Sequence, residues 1–145
     1  MNQPVSPTTG PSIQQIAVAV VRHEGRYLVG QRAKDQTLAG KAEFPGGKVL
    51  PGESPAEAAV RECREETGLE VEISGSFDPI VHTYPHGTLE LHFFRCRLAA
   101  AGSPRAPFAW APTEDLARLH FPAANRAILT ALAAEEAKPG IGPAR

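Results

Sequence analysis

One stretch constrains this chain more than any other: residues 47–69, which read GKVLPGESPAEAAVRECREETGL. Ser54 is a favourable helix N-cap and Pro55 suits the first helical position, while Glu57 completes a capping box. Gly68 can adopt the left-handed conformation that ends many helices. Together these signals predict a helix of about 13 residues, which is roughly 20 Å long at the usual rise per residue.

The acids of this helix fall on one side. Glu62, Glu65 and Glu66 stand at i, i+3 and i+4, so their side chains project together. Such a charge run is commonly a solvated face, here partly neutralised by Arg61 and Arg64. The glycine-rich entry and the spacing favour a second interpretation. Hard divalent cations prefer carboxylate oxygens, and three acids on one helical face could share one or more Mg²⁺ ions.

The spacing resembles the Nudix box, G-x5-E-x7-R-E-U-x-E-E-x-G-U, the motif of the Nudix hydrolases. Gly47 and Glu53 occupy its first two fixed positions, and residues 61–69 (RECREETGL) supply the remainder. Cys63 stands where a bulky aliphatic residue is usual, but this is a packing position. The pattern of strands and helices alone predicts only a mixed α/β fold. The resemblance implies more: a Nudix α/β/α sandwich with a mixed sheet and a central catalytic loop–helix–loop.

The resemblance also implies roles for the box residues. Glu62 would act as the general base or would orient the attacking water, and Arg61 would hold a glutamate by a charged hydrogen bond. The implied catalytic residues are therefore Glu62, Arg61 and Glu53. The cofactor would be Mg²⁺, for which Mn²⁺ could substitute. Its implied ligands are one backbone carbonyl and three carboxylates, with one further acid as a secondary ligand: Gly46, Glu62, Glu65, Glu66 and Glu53.

Matches outside the box resemble one subgroup of the family, the MutT-like 8-oxo-dGTP diphosphatases. Arg32 is followed at the subgroup's distance by residues 43–47 (EFPGG). Residues 121–125 (FPAAN) resemble a segment whose asparagine hydrogen-bonds the oxidised purine in that subgroup. The resemblance implies that Asn125 reads the base, since an amide both donates and accepts hydrogen bonds. The alternative is a local bond from Asn125 to the nearby backbone.

Three more residues are candidates for substrate contacts. Arg32 would bind a phosphate or the base at the pocket rim, or would simply be a solvated arginine of an edge strand. Phe44 and Tyr84 are candidate walls for the base, although either could equally belong to the core. We therefore expect the substrate-binding residues to be Arg32, Phe44, Tyr84 and Asn125.

The chain departs from the subgroup in two places. A late loop that supplies a further metal-binding glutamate in the subgroup corresponds to residues 102–108, which contain no acid. Either the three box glutamates and water suffice, or Glu90 or Glu114 supplies the ligand. Where the subgroup has an Asp-Arg pair beside the base, this chain has His86 and Gly87, which argues against 8-oxoguanine in particular.

Three functions are compatible with these residues. The first is a Mg²⁺-dependent pyrophosphohydrolase that cleaves a nucleoside triphosphate to the monophosphate and pyrophosphate, with 8-oxo-dGTP as a candidate substrate. The second is a hydrolase of ADP-ribose or another nucleoside diphosphate derivative, for which Pro85 is a weak signal because it also suits a plain turn. The third is a nucleotide sensor without catalysis. Since all four box glutamates are present, the sensor ranks last.

Length and charge bound the remaining properties. At 145 residues and a net charge of −1, the chain suits one domain without broad attraction to nucleic acid or anionic membranes. No stretch reaches the roughly 18 apolar residues of a membrane helix, and no signal-peptide pattern is present. Cys63 and Cys96 have neither metal nor disulfide spacing, so we expect a cytoplasmic protein. It would act on a small nucleotide as a monomer or a homodimer.

The remaining elements follow from local patterns. We expect flexible tails at residues 1–12 and 139–145 around a single domain at 13–138, because the tails are rich in proline, glycine and small polar residues. The expected strands are a hairpin at 13–22 and 26–31, then 70–74, 80–84, 89–98 and 108–110. Thr113 is predicted to cap a weak helix, and Pro122 to open a final helix that runs to about residue 137.

Overall fold

The computed structural model describes residues 12–31, 41–85 and 87–137. Within these ranges the chain forms one eight-stranded sheet with helices on both faces. No helix in them is long and apolar enough to cross a membrane. The strands are β1 (Ser12–His23), β2 (Arg26–Gln31), β3 (Ala42–Glu43), β4 (Gly46–Lys48), β5 (Val71–Ser76), β6 (Ile80–Tyr84), β7 (Gly87–Leu98) and β8 (Phe108–Pro112). The helices are α1 (Pro55–Thr67), α2 (Thr113–Leu116), a 3₁₀ turn (Ala123–Asn125) and α3 (Arg126–Ala137).

Strand β1 lies at the centre of the sheet. It pairs in parallel with β7 along ten residues, and on its other edge it pairs antiparallel with β4 and with the start of β2. Strands β5 and β6 extend the sheet beyond β7, and β3 and β8 extend it beyond β2. The sheet is therefore mixed, as predicted. Leu91, Phe93 and Cys96 of β7 are buried, so these residues belong to the core.

Alternation along β1 divides the core into two layers. Ala17, Ala19 and Val21 pack with the helix α1, whereas Val18 and Val20 pack on the opposite face with α3. On the α1 face the small residues Ala58, Ala59 and Cys63 let the helix approach the sheet closely, and they join the β1 residues in one buried cluster. The α3 face is covered by Leu116, Ile128 and Leu132 together with Phe44 and Phe93. The α/β/α sandwich is thereby confirmed.

Local signals at both ends of α1 are confirmed. The Ser54 hydroxyl accepts a hydrogen bond from the Glu57 amide at 3.1 Å, and the Glu57 carboxylate accepts one from the Ser54 amide at 2.9 Å. Pro55 is the first helical residue, and Gly68 ends the helix with a φ of 83°. Hairpin β1–β2 is also confirmed, with its turn at Glu24 and Gly25. Residues 47–69 thus fold as their own pattern predicts.

Two predictions near the C-terminus are corrected. Thr113 does not cap α2, because Pro112 is the N-cap residue and the Thr113 hydroxyl instead donates to the Gly25 carbonyl at 3.4 Å. Pro122 opens a 3₁₀ turn rather than the last α-helix, which begins at Arg126. The predicted tails lie outside the described residues except at Ser12, which begins β1.

An ion pair fixes the end of α3 to the β1–β2 hairpin. Glu136 accepts hydrogen bonds from Arg22 Nε at 2.6 Å and from the Tyr27 hydroxyl at 2.8 Å. The Arg22 bond is the main cause that holds the pKa of Glu136 below its ordinary value of 4.5. Since the native pKa is depressed, the ionised carboxylate stabilises the fold above the unfolded-state pKa, and this contribution is lost as pH falls through the native value.

We expect Glu136→Gln to lower the free energy of unfolding by about 1 kcal/mol at neutral pH, the usual contribution of a charged hydrogen bond with a partly exposed partner. This deficit should disappear in acid, where the wild-type carboxyl is protonated. Urea unfolding at neutral and acidic pH measures both values, with Asp78→Asn, an exposed acid, as the control. A loss of unfolding free energy that does not change with pH would contradict the stabilising role of the ionised Glu136 carboxylate.

Candidate active site

The site is built where α1 crosses β4. The Glu62 carboxylate lies directly against the backbone of Gly47, so closely that a Cβ at this position would overlap it. One turn later, the Glu66 carboxylate accepts a hydrogen bond from the Gly46 amide at 3.1 Å. The two glycines therefore allow the acids of α1 to reach the backbone of β4. This close approach places predicted ligands Gly46, Glu62 and Glu66 together.

Arg61 is the centre of the hydrogen-bond network on this side of the helix. Its Nη1 lies 3.1 Å from both Glu62 Oε2 and Glu65 Oε1. Its Nε donates to Glu53 Oε2 at 2.7 Å, and its Nη2 donates to the Lys48 carbonyl at 3.0 Å. Only 17% of the Arg61 side chain is exposed, and its hydrogen bonds, chiefly the one to Glu53, raise its pKa. One guanidinium thus joins three acids and the loop before α1.

Glu53 supports this arginine. Its Oε1 accepts hydrogen bonds from the Leu50 amide and from Arg61 Nη2, both at 3.0 Å, while its Oε2 accepts from Arg61 Nε. The bond from Arg61 is the main cause that lowers the pKa of Glu53, and the Leu50 amide adds to it. Both carboxylate oxygens are therefore engaged in holding Arg61 and the loop. The role of secondary metal ligand stays a prediction.

Glu66 is in a different environment. Its carboxylate is half-buried, and burial raises its pKa to about 7 despite the Gly46 hydrogen bond. The negative charges of Glu62, Glu43 and Glu65 raise it further. A carboxylate that is desolvated among other acids is stabilised by a bound cation. The donor set, oxygen atoms only, is the kind that Mg²⁺ and Mn²⁺ prefer.

In the described ranges, the carboxylates of Glu62, Glu65 and Glu66 do not converge on one point. Within the described ranges, no three acidic, histidine or cysteine side chains are close enough to form a complete metal cluster. Glu65, which is 56% exposed, is turned toward Arg61. An exposed ion pair of this kind contributes less than about 1 kcal/mol, so Glu65 can turn toward a cation at little cost. The chemistry of the residues present therefore fits a divalent cation held by Glu62, Glu65 and Glu66.

The predicted base-binding residues lie toward the α3 face. Asn125 is only 6% exposed, and its side chain makes no hydrogen bond to another described residue. The local alternative, a side-chain bond to nearby backbone, is therefore absent from the described part of the chain. Phe44 is 5% exposed and its ring lies 4.9 Å from that of Phe121. Phe44 is thus a core residue of this face, two residues before Gly46.

Tyr84 is the exposed member of the predicted set. Its side chain is 41% exposed and its ring meets that of His82 edge-on, with the centroids 4.6 Å apart. Alternation along β6 puts both rings on the face of Ile80, which packs in the α3-side core. Tyr84, Phe44 and Asn125 therefore share one face of the sheet. Arg32 and His86 lie outside the described residues.

The late loop contains a residue that sequence reasoning missed. Instead of an acid, residues 102–108 contribute Arg105, whose guanidinium donates to the Glu65 carbonyl at 2.9 Å. The two acids considered as replacements are elsewhere. Glu90 is held by Gln15 and His92, at 2.8 and 3.3 Å, and Glu114 is exposed on α2.

Glu43 was also missed. It is exposed at the end of β3, and its negative charge contributes to the raised pKa of Glu66. The signal for it was available in the sequence, because Glu43 directly precedes Phe44 and the glycine pair. In the sequence it forms part of the motif at residues 43–47, which does not mark it as a separate acid. Among the described residues, Glu43 is therefore an acid outside the box whose charge acts on Glu66.

Comparison with known proteins identifies the family. A family model described as "NUDIX domain" matches residues 17–131 of this chain. The chain belongs to the Nudix family. The 8-oxo-dGTP diphosphatase of Escherichia coli is 34% identical over 122 residues, which cover 81% of this chain and 95% of the relative. The CTP pyrophosphohydrolase of the same organism is 37% identical over 95 residues, or 54% of this chain and 68% of the relative.

Solved structures agree with this family. The solution structure of the E. coli ORF135 protein matches with a TM-score of 0.74 and 26% identity, and the match covers 94% of this chain and all of that one. The family, the relatives and the arrangement of the box together identify a MutT-like Nudix hydrolase. Nudix hydrolases generally use a divalent metal, and the acids around Glu66 suit one.

We expect the hydrolytic activity to fall even when Arg61 is replaced by another basic residue. In Arg61→Lys a single ammonium replaces the planar guanidinium, so it cannot bind Glu53, Glu62 and Glu65 at once. We expect hydrolysis of a nucleoside triphosphate to fall roughly 10- to 100-fold, the usual effect of losing a residue that orients metal ligands. Phosphate or pyrophosphate release with Mg²⁺ measures this. Arg64→Lys, the neighbouring exposed arginine, is the matched control, and equal activity of the two variants would contradict the prediction.

Proposed function

We propose that this protein is a Mg²⁺-dependent pyrophosphohydrolase that cleaves a nucleoside triphosphate to the nucleoside monophosphate and pyrophosphate. The observation that carries this proposal is the arrangement of two acids against β4, where the Glu66 carboxylate accepts a hydrogen bond from the Gly46 amide at 3.1 Å and the Glu62 carboxylate lies against Gly47. A site that concentrates negative charge would repel a polyphosphate by itself. It becomes a polyphosphate site when Glu62, Glu65, Glu66 and the Gly46 carbonyl hold a divalent cation.

The residues of this chain divide the chemistry. A bound divalent cation supplies positive charge that screens the phosphates and polarises the phosphorus. Glu62 accepts the proton of the attacking water, since its carboxylate is held between Gly47 and Arg61 and is only 17% exposed. As the new oxygen–phosphorus bond forms, a phosphorus–oxygen bond of the bridge between the α- and β-phosphates breaks. Pyrophosphate or the nucleoside monophosphate then leaves with the bridging oxygen. Arg61 and Glu53 keep Glu62 in place during this step.

For the base, the candidate contacts are Asn125 and the aromatic residues of the α3 face. A buried amide without a hydrogen-bond partner among the described residues is costly, and a purine edge that donates and accepts would satisfy it. The relatives suggest two bases, since one is named for 8-oxo-dGTP and another for CTP. We propose the oxidised purine nucleotide as substrate, with CTP as the second candidate. ADP-ribose rests only on Pro85, an exposed turn residue.

Two further properties belong to this proposal. Cys63 and Cys96 are both free and buried, which suits the reducing cytoplasm where nucleotide pools are sanitised. We propose that the protein acts there on small nucleotides, as a monomer or a homodimer, without stable binding to nucleic acid.

The role of Glu62 can be tested directly. Glu62→Gln keeps the shape of the side chain but removes its ability to accept a proton, so turnover should fall by about two to four orders of magnitude. The melting temperature should stay close to wild type. Glu70→Gln, an exposed acid beyond the helix, is the control for loss of one negative charge. Near-full activity of Glu62→Gln would remove this residue from the general-base role.

The substrate can be assigned with a panel. We expect kcat/KM with Mg²⁺ to be highest for 8-oxo-dGTP among 8-oxo-dGTP, dGTP, CTP, dCTP and ADP-ribose. Asn125→Ala should abolish that preference, because it removes both the donor and the acceptor. Asn125→Asp keeps the size and only the acceptors, so it separates hydrogen bonding from packing. A profile led by CTP or ADP-ribose, unchanged in Asn125→Ala, would reject the base-reading role.

A further inference from the structure

The C-terminal end of α1 depends on a single residue from a distant loop. The last four carbonyls of a helix have no partner within it and must be satisfied from outside. In α1 the first of these four, the Arg64 carbonyl, accepts a hydrogen bond from the Gly68 amide at 2.9 Å. The guanidinium of Arg105 donates to the next two, the Glu65 carbonyl at 2.9 Å and the Glu66 carbonyl at 3.4 Å. The Arg105 backbone amide donates to the last, the Thr67 carbonyl, at 2.8 Å.

Arg105 is itself fixed at this place. Its carbonyl accepts the amide of Phe108 at 3.0 Å, and Phe108 is a buried residue of the α1-side core that begins β8. The start of the same loop is held by the Ala99 amide, which donates to the Glu70 carbonyl at 2.9 Å. Space for the guanidinium depends on Gly68, because a Cβ there would lie 3.2 Å from Arg105 Nη2. A cation at a helix C-terminus is also favoured by the helix dipole.

The contacts of Arg105 are made to the last turn of α1, which is part of the candidate site. Helix ends fray, and the last turn of a helix is its least stable part. In α1 this last turn carries Glu65 and Glu66, two of the acids assigned to the cation. The Arg105 guanidinium contacts the backbone carbonyls of Glu65 and Glu66, so Arg105 acts on these two acids through the helix backbone.

We propose that Arg105 is a positioning residue for the metal site. By holding the carbonyls of residues 65–67, it keeps the last turn of α1 helical and so keeps the Glu66 carboxylate against β4 and the Glu65 carboxylate beside Arg61. This role rests on the proposed function, because it requires those two acids to bind a divalent cation. The loop at residues 102–108, which contains no acid, contributes to the site through this arginine.

Binding of Mn²⁺ to the full chain, measured by isothermal titration calorimetry without nucleotide, tests the proposal. We expect Arg105→Ala to raise the Kd for Mn²⁺ about tenfold, the lower end of the effect of losing a residue that orients metal ligands. The Mg²⁺ concentration for half-maximal hydrolysis should rise similarly, while KM for the nucleotide at saturating Mg²⁺ stays the same. Arg105→Lys should recover part of the affinity, since an ammonium can donate to one of the carbonyls.

Arg97→Gln is the matched control, because Arg97 is an arginine of β7 that is 65% exposed and pairs with Glu72. Its Mn²⁺ affinity should equal that of the wild type. Wild-type Mn²⁺ affinity in Arg105→Ala would overturn the proposal, even if the melting temperature fell, because the residue would then serve stability alone. If Arg105→Ala does not fold, the Kd for Mn²⁺ is measured for Arg105→Lys instead, and a wild-type value in that variant would overturn the proposal. A wild-type protein that binds no Mn²⁺ would instead reject the proposed function and this role together.

Discussion

The site depends on one electrostatic problem, which is how to keep several carboxylates close together on a single helix. Like charges at i, i+3 and i+4 repel one another, and the repulsion grows when the acids are partly buried. Arg61 resolves part of this problem by binding Glu53, Glu62 and Glu65 at once. Glu66 is left with a raised pKa among acids. The site therefore combines a half whose charge is partly neutralised by Arg61 with a half whose acids have the environment that the proposed cation would stabilise.

The sheet makes this arrangement compatible with a stable fold. Small residues on the inner side of α1 let the helix lie close to β1, and the paired glycines of β4 let Glu62 and Glu66 reach its backbone. The opposite face of the same sheet is built from larger apolar residues, among them Phe44. Because Phe44 precedes Gly46 by two residues, one short segment links the acidic side of the sheet to the aromatic side. The residues proposed for chemistry and those proposed for base recognition thus lie on opposite faces of one sheet, joined by this segment.

The parts of the fold that sequence predicted well are those specified by neighbouring residues. The capping box at Ser54, the left-handed end at Gly68 and the hairpin at Gly25 all follow from local backbone preferences. The predicted cap at Thr113 failed because this residue has a partner far away in the sequence. Thr113 is drawn to the Gly25 carbonyl rather than to the first turn of its own helix. For the candidate site, the sequence places the box acids on one helix, whereas it does not single out Glu43, which stands inside another motif, or Arg105, which has no distinctive spacing.

The sequence by itself determined the family, the catalytic helix and the set of acids on it, because a box of fixed spacing acts through one continuous stretch of chain. Only the tertiary structure decided how that helix is held. Arg105 lies 40 residues beyond Glu65, and strands β5, β6 and β7 must fold between them before it contacts the end of α1. The same holds for Asn125, whose burial depends on packing between α3 and the sheet. Periodicity and spacing describe neighbours along the chain, whereas the satisfaction of a helix end or a buried amide depends on what the fold places beside it.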